Sequence, residues 1–153
     1  MADFTINVTV TPAYDWAYSD NMGLPISSIE IPYDSKHSME IILNGGTGPC
    51  MFPSVGKDPL TFYNPKGTIK LPLWLKNLLM PTRYNLTFDD DNINQKRRSY
   101  HFVINAVYGN DSITSPDPTI VNVGTEGLMT FIFPKPRSHQ PQPARPDPMA
   151  VAV

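Results

Sequence analysis

Histidine, cysteine and clustered carboxylates are where chemistry would have to begin in this chain, and they are scattered. His37, His101 and His139 never come within metal-ligand spacing of one another or of Cys50, the single cysteine. Asp90, Asn92 and Asn94 do have the spacing of the first three ligands of a helix–loop–helix calcium site. Gln95, however, stands where glycine makes the turn, and His101 stands where a bidentate glutamate closes the site. A looser site on Asp89 and Asp91 is outweighed by a solvated loop whose acids face Lys96, Arg97 and Arg98. The loop Gly45-Gly46-Thr47-Gly48 lacks the lysine and Ser/Thr of a phosphate cradle, and no nucleophile elbow is present. A hydrolase would need groups converging near His101 and Asp117, which no spacing supplies. Cys50 reads as a small apolar residue rather than a reactive thiol. The expectation is a protein that is not an enzyme and holds no cofactor and no metal.

Two other sets of residues are candidates for binding. Tyr14, Trp16, Tyr18 and Trp74 would make a stacking platform for a sugar ring or small ligand, although aromatics on a sandwich more often fill its core. Leu128-Met129-Thr130-Phe131-Ile132-Phe133 carries neither charge nor proline. At a sheet edge such a strand is a template for pairing with another chain, with Leu128, Met129, Phe131, Ile132 and Phe133 as its contacts; buried, it is an ordinary core strand.

The element expected to position all of these is Ser99–Tyr108. It has no Gly or Pro, and apolar residues lie on both parities: Tyr100, Phe102, Ile104, Ala106 and Tyr108 on one, Val103 and Val107 on the other. That pattern predicts a central strand covered on both faces, since a half-exposed strand would alternate. Around it, Phe4–Val10 alternates cleanly, Ser28–Tyr33 is edge-like because of Pro32, and Met39–Leu43 is a denser strand. The spacing places a strand over 68–76, with Ile69, Leu71, Leu73 and Leu75 on one side and Trp74 on the other; a short helix over 73–80 is the alternative. Arg83–Asp89 and Ser99–Tyr108 read as an antiparallel hairpin joined by a polar connection. Thr119–Val123 and Leu128–Phe133 complete seven to nine strands.

Composition agrees with this reading. Seventeen prolines and nine glycines in 153 residues cut the chain into short pieces, which suits an all-β domain better than long helices. Charged residues make up 17% and the net charge is −2, so the concentrated Lys/Arg that nucleic acid requires is missing. No apolar run is long enough to span a bilayer and no secretion signal is evident, which predicts a soluble cytoplasmic protein without a membrane partner. Six of the last twenty residues are proline, so 134–153 is expected to be a disordered, polyproline-II-like tail following a domain over 1–133. Its Pro143-Ala144-Arg145-Pro146 is a weak signal for a proline-reading partner.

Ser115-Pro116-Asp117-Pro118-Thr119-Ile120-Val121-Asn122, with the opening Ile6-Asn7-Val8-Thr9-Val10, resembles the DP-EP family of small bacterial proteins. Asp117-Pro118 matches the family's Asp-Pro pair; its later Glu-Pro pair is missing, because Gly127 follows Glu126. The segment is also similar to the closing strand of the PixA/AidA-like inclusion-body proteins. Both resemblances imply an immunoglobulin-like sandwich and lend no catalytic residues. Independently of them, two prolines one residue apart stiffen the approach to the final strands. The reading is an all-β, immunoglobulin-like antiparallel two-sheet sandwich that associates with itself or binds another protein. The alternative is a carbohydrate- or small-ligand-binding module.

Overall fold

Residues 3–32, 37–54, 57–72, 74–90, 98–125 and 128–134 are described by the computed structural model. Beyond Pro134 the expected tail lies outside them, as do Asp91 to Arg97 of the polar connection. Within them run twelve strands: β1 (Phe4–Val10), β2 (Trp16–Ser19), β3 (Ser28–Pro32), β4 (His37–Leu43), β5 (Cys50–Met51), β6 (Leu60–Tyr63), β7 (Leu75–Leu79), β8 (Asn85–Asp90), β9 (Arg98–Tyr108), β10 (Asp111–Thr114), β11 (Thr119–Thr125) and β12 (Leu128–Ile132). They form two packed sheets, a β-sandwich. The smaller has the order β2-β1-β4-β8-β7; the larger follows β10-β9-β11-β12-β3, with β5 and β6 also on β9.

Alternation decides which face of each strand meets the core. Ile6, Val8 and Val10, Met39, Ile41 and Leu43, and Leu86 and Phe88 point in from the smaller sheet. Phe62, Phe102, Ile104, Val121, Met129 and Phe131 meet them from the larger. Trp74 sits between the layers, edge-on to Phe62 (5.8 Å) and Phe131 (6.0 Å) and tilted against Phe88 (6.5 Å). Its indole N–H is buried with no hydrogen-bond partner among the described residues. Such a group costs about 1–3 kcal/mol, which the burial of so large a ring outweighs.

Every described ladder is antiparallel except β1 with β4, which run parallel from Phe4↔Met39 to Val8↔Leu43. Parallel neighbours have no turn to hold their ends together. Here Asn44 does so: it adopts φ 47°, and its side chain accepts from Val10 N (2.7 Å) and donates to Val10 O (3.0 Å). Asparagine tolerates that left-handed conformation better than most residues.

Three expectations are corrected. The strand pair expected as a hairpin is split between layers: β8 lies in the smaller sheet between β4 and β7, while β9 lies in the larger. The seven residues between Asp90 and Arg98 are enough chain to span the ~10 Å between packed sheets, and both strands turn their aromatic parity to the same core. The strand expected over 68–76 begins only at Leu75. Ile69 and Leu71, expected on one side of that strand, are exposed, and Trp74, expected on the other, is core. Finally, β9 is central through its hydrogen bonds and not through coverage of both faces. Around Phe102 it is paired by β6 and β11, and around Tyr108 by β5 and β10. Tyr100, Phe102, Ile104 and Ala106 are buried, whereas His101, Val103, Asn105 and Val107 are only half-buried on the outside.

Candidate functional site

The aromatic set is not a platform. Trp16, Tyr18 and Trp74 are buried in the core, and Tyr18 stacks on Phe133 at 5.5 Å. The space beside Tyr14, Trp16, Tyr18 and Asp117 encloses about 30 Å³, room for one water and not for a sugar. Tyr14 alone is exposed. It takes φ 66°, donates its hydroxyl to Asp111 Oδ2 (2.8 Å) and tilts against Tyr108 (5.4 Å). That bond to a carboxylate, followed by desolvation, raises the Tyr14 pKa. The side chain therefore straps the β1–β2 turn to the β9–β10 hairpin.

Nor does the candidate interaction strand have a free edge. β12 is paired along its length by β11 on one side and β3 on the other. Met129, Phe131 and Phe133 are buried, and Ile132 is exposed; the Leu128 backbone pairs with Pro32. Edge pairing through this strand is unavailable, because an uncharged apolar strand is as well suited to the interior of a sheet as to a template.

The groups considered for chemistry also stay apart. His101 stacks on Tyr63 at 5.0 Å and 17°, whereas Asp117 faces the aromatic seam. His37 lies 3.6 Å from Asp3, whose carboxylate also accepts from Ser38 N. Asp89 accepts from Asn77 Nδ2 at 2.7 Å. Cys50 is buried, and desolvation pushes its thiol pKa up, away from reactivity. Among the described residues no three His, Cys, Asp or Glu side chains gather as metal ligands, and no helix is long and apolar enough to cross a membrane.

What the tertiary structure does assemble is a row across the outer face of the larger sheet. Ile69 bridges to Tyr63, Tyr63 pairs with His101, His101 with Ile120, and Ile120 with Ile132. These five side chains lie side by side over about 20 Å, taking ~4.8 Å per strand. Ile69, Ile120 and Ile132 remain 69%, 42% and 37% exposed. Thr61, Val103 and Thr130 extend the face along the strands without charge, and Glu30, exposed opposite Thr130, marks its β3 margin.

Part of this surface was visible in the sequence: the second apolar parity of β9 (Val103, Val107) signals an outer face that is not solvated polar surface. Ile69 carried no such signal, because its neighbour on the face, Tyr63, is met through an isolated bridge. No protein-family model and no curated protein matches the chain.

Proposed function

We propose that this protein is a non-enzymatic β-sandwich that associates with a second copy of itself through the outer face of the larger sheet. The observation carrying this reading is the row Ile69–Tyr63–His101–Ile120–Ile132, apolar and aromatic over its length, with its three isoleucines exposed and Tyr63 and His101 half-buried between them. A contiguous apolar strip of this kind marks an interaction surface more often than scattered exposed hydrophobics do. The row itself carries no formal charge that would select a charged partner, and Glu30, exposed beside Thr130, lies at its β3 margin. An identical row meets it without like-charge repulsion between the rows, and two such strips related by a two-fold axis are self-complementary.

The fine classification belongs to this reading too. Two packed sheets around a central buried tryptophan support an immunoglobulin-like type, and with it the resemblance to the DP-EP and inclusion-body families. Residence in the cytoplasm goes with a single buried cysteine and no disulfide need.

Light scattering after size exclusion, run over a concentration series, tests the association. The expected result is a dimer mass that reverts to monomer in the double variant Ile120→Lys/Ile132→Lys at unchanged circular dichroism. A wild-type chain that stays monomeric at every concentration overturns the proposal.

A further inference from the structure

Further along the same sheet, where Pro53, Ser54, Lys57 and Asp58 face the β9–β10 hairpin, a groove of about 630 Å³ opens. We infer that it is a binding site for a small acidic saccharide, a hydroxylated ligand carrying one carboxylate; this stands independently of self-association.

Volume is the first argument, since small-ligand sites run from about 300 to 1,000 Å³. Charge is the second. Lys57 and Arg83 both line the groove, and neither is paired with a carboxylate among the described residues. Arg83 is held in place without being neutralised: Nε and Nη2 both donate to the Phe52 carbonyl, at 3.0 and 2.7 Å. Its remaining N–H groups are pre-oriented for an anion, and a guanidinium fixed this way binds carboxylate with little ordering cost. Asp58 lines the groove as well, which disfavours a polyanion and limits the ligand to a single charge.

The floor supplies the third argument. Asn105 Nδ2 donates to Thr61 Oγ1 (2.8 Å) and to the Asp58 carbonyl (3.0 Å), and Thr114 Oγ1 donates to Asn105 Oδ1 (3.0 Å). This chain of bonds fixes three side chains from three strands. It leaves the Thr61 hydroxyl hydrogen free to donate and the Thr114 oxygen free to accept. A donor and an acceptor fixed in the same groove as two cations match a ring bearing hydroxyls and a carboxylate. They do not match a bare inorganic anion, which would use the cations alone.

The test titrates the full chain with glucuronate, glucose and sulfate, by calorimetry and by backbone amide shifts. Glucuronate is expected to shift the Asn105 and Thr114 amides and to bind about tenfold more tightly than glucose, the worth of one charge-assisted bond. Arg83→Gln is expected to abolish that preference. Because Arg83 also secures Phe52, the exposed Lys57→Gln provides the second variant and should weaken glucuronate at an unchanged melting temperature. Equal binding of glucose and glucuronate, sulfate acting where glucuronate does not, or a Lys57→Gln chain that binds like wild type would each overturn the assignment.

Discussion

The two sheets share one core but present opposite outer faces to solvent. On the smaller sheet the outward residues include Thr5, Asn7 and Thr9, Ser19, Ser38 and Glu40, Lys76, Asn85, Thr87 and Asp89, with Ala17, Ile42 and Leu79 as the apolar exceptions. Their polar groups are joined across the strands and to the adjoining loop: Asn85 Nδ2 donates to Glu40 Oε2 at 2.7 Å, and Asn7 Nδ2 to the Asp20 carbonyl at 2.8 Å. The row on the larger sheet is held instead by ring stacking and apolar contact. A sandwich needs one buried face per sheet, so the outer faces are free to differ. The smaller sheet uses that freedom for solvation. The larger retains apolar surface that its own fold does not require.

Adjacent residues on β12 separate fold from surface most sharply. Phe131 faces the core and Ile132 the solvent, one residue apart. Phe131→Ala is expected to lower unfolding free energy by about 3–5 kcal/mol in urea titration, through lost transfer energy and a cavity. Ile132→Lys should change it by no more than about 0.5 kcal/mol. A large loss from Ile132→Lys would mean that the outer face holds the fold together, and the contrast between the sheets would fail.

The seam joining the sheets gives the next effect. Tyr18 on β2 is buried, and its hydroxyl reaches Ser115, beyond β10 in the other sheet; desolvation pushes its pKa up to about 12, with the Ser115 bond opposing. A folded pKa above the unfolded value of about 10 means that unfolding releases a proton. The contribution is therefore complete below pH ~10 and is lost as pH rises toward 12, by about 2–3 kcal/mol. Thermal melts at pH 9 and 11.5 should show a smaller drop for Tyr18→Phe than for wild type. Equal drops would show that Tyr18 titrates normally.

The smallest effect lies on the polar face. Glu40→Ala removes a partly buried hydrogen bond and is expected to cost about 1 kcal/mol in chemical denaturation. It should leave the mass in light scattering unchanged, unlike the paired lysine substitutions on the larger sheet. A shift in mass would move the association to the wrong sheet.

Much of the fold was legible because it rests on alternation. β1 and β4 declare their inner faces residue by residue, and Pro32 marks β3 as the outermost strand. β2, β6 and β10 were missed: Trp16–Ser19 is four residues inside an aromatic cluster, Leu60–Tyr63 is four residues between two Asx-Pro turn signals, and Asp111–Thr114 carries polar residues at three of its four positions. Strands this short are made by their partners. The aromatic set was misplaced for a related reason, since nothing local distinguishes a tryptophan that fills a core from one that stacks on a ligand.

By itself the sequence determined the longer alternating strands, their inner faces and the absence of concentrated charge, because these depend on side-chain period and composition. Tertiary structure alone decided which strands are neighbours. It separated β8 from β9, placed β12 in the interior of its sheet, and set Ile69, Tyr63, His101, Ile120 and Ile132 in one row. It also brought Lys57 and Arg83 to one groove. Both surfaces draw residues from segments distant along the chain, so register between strands, and no pattern within one, creates them.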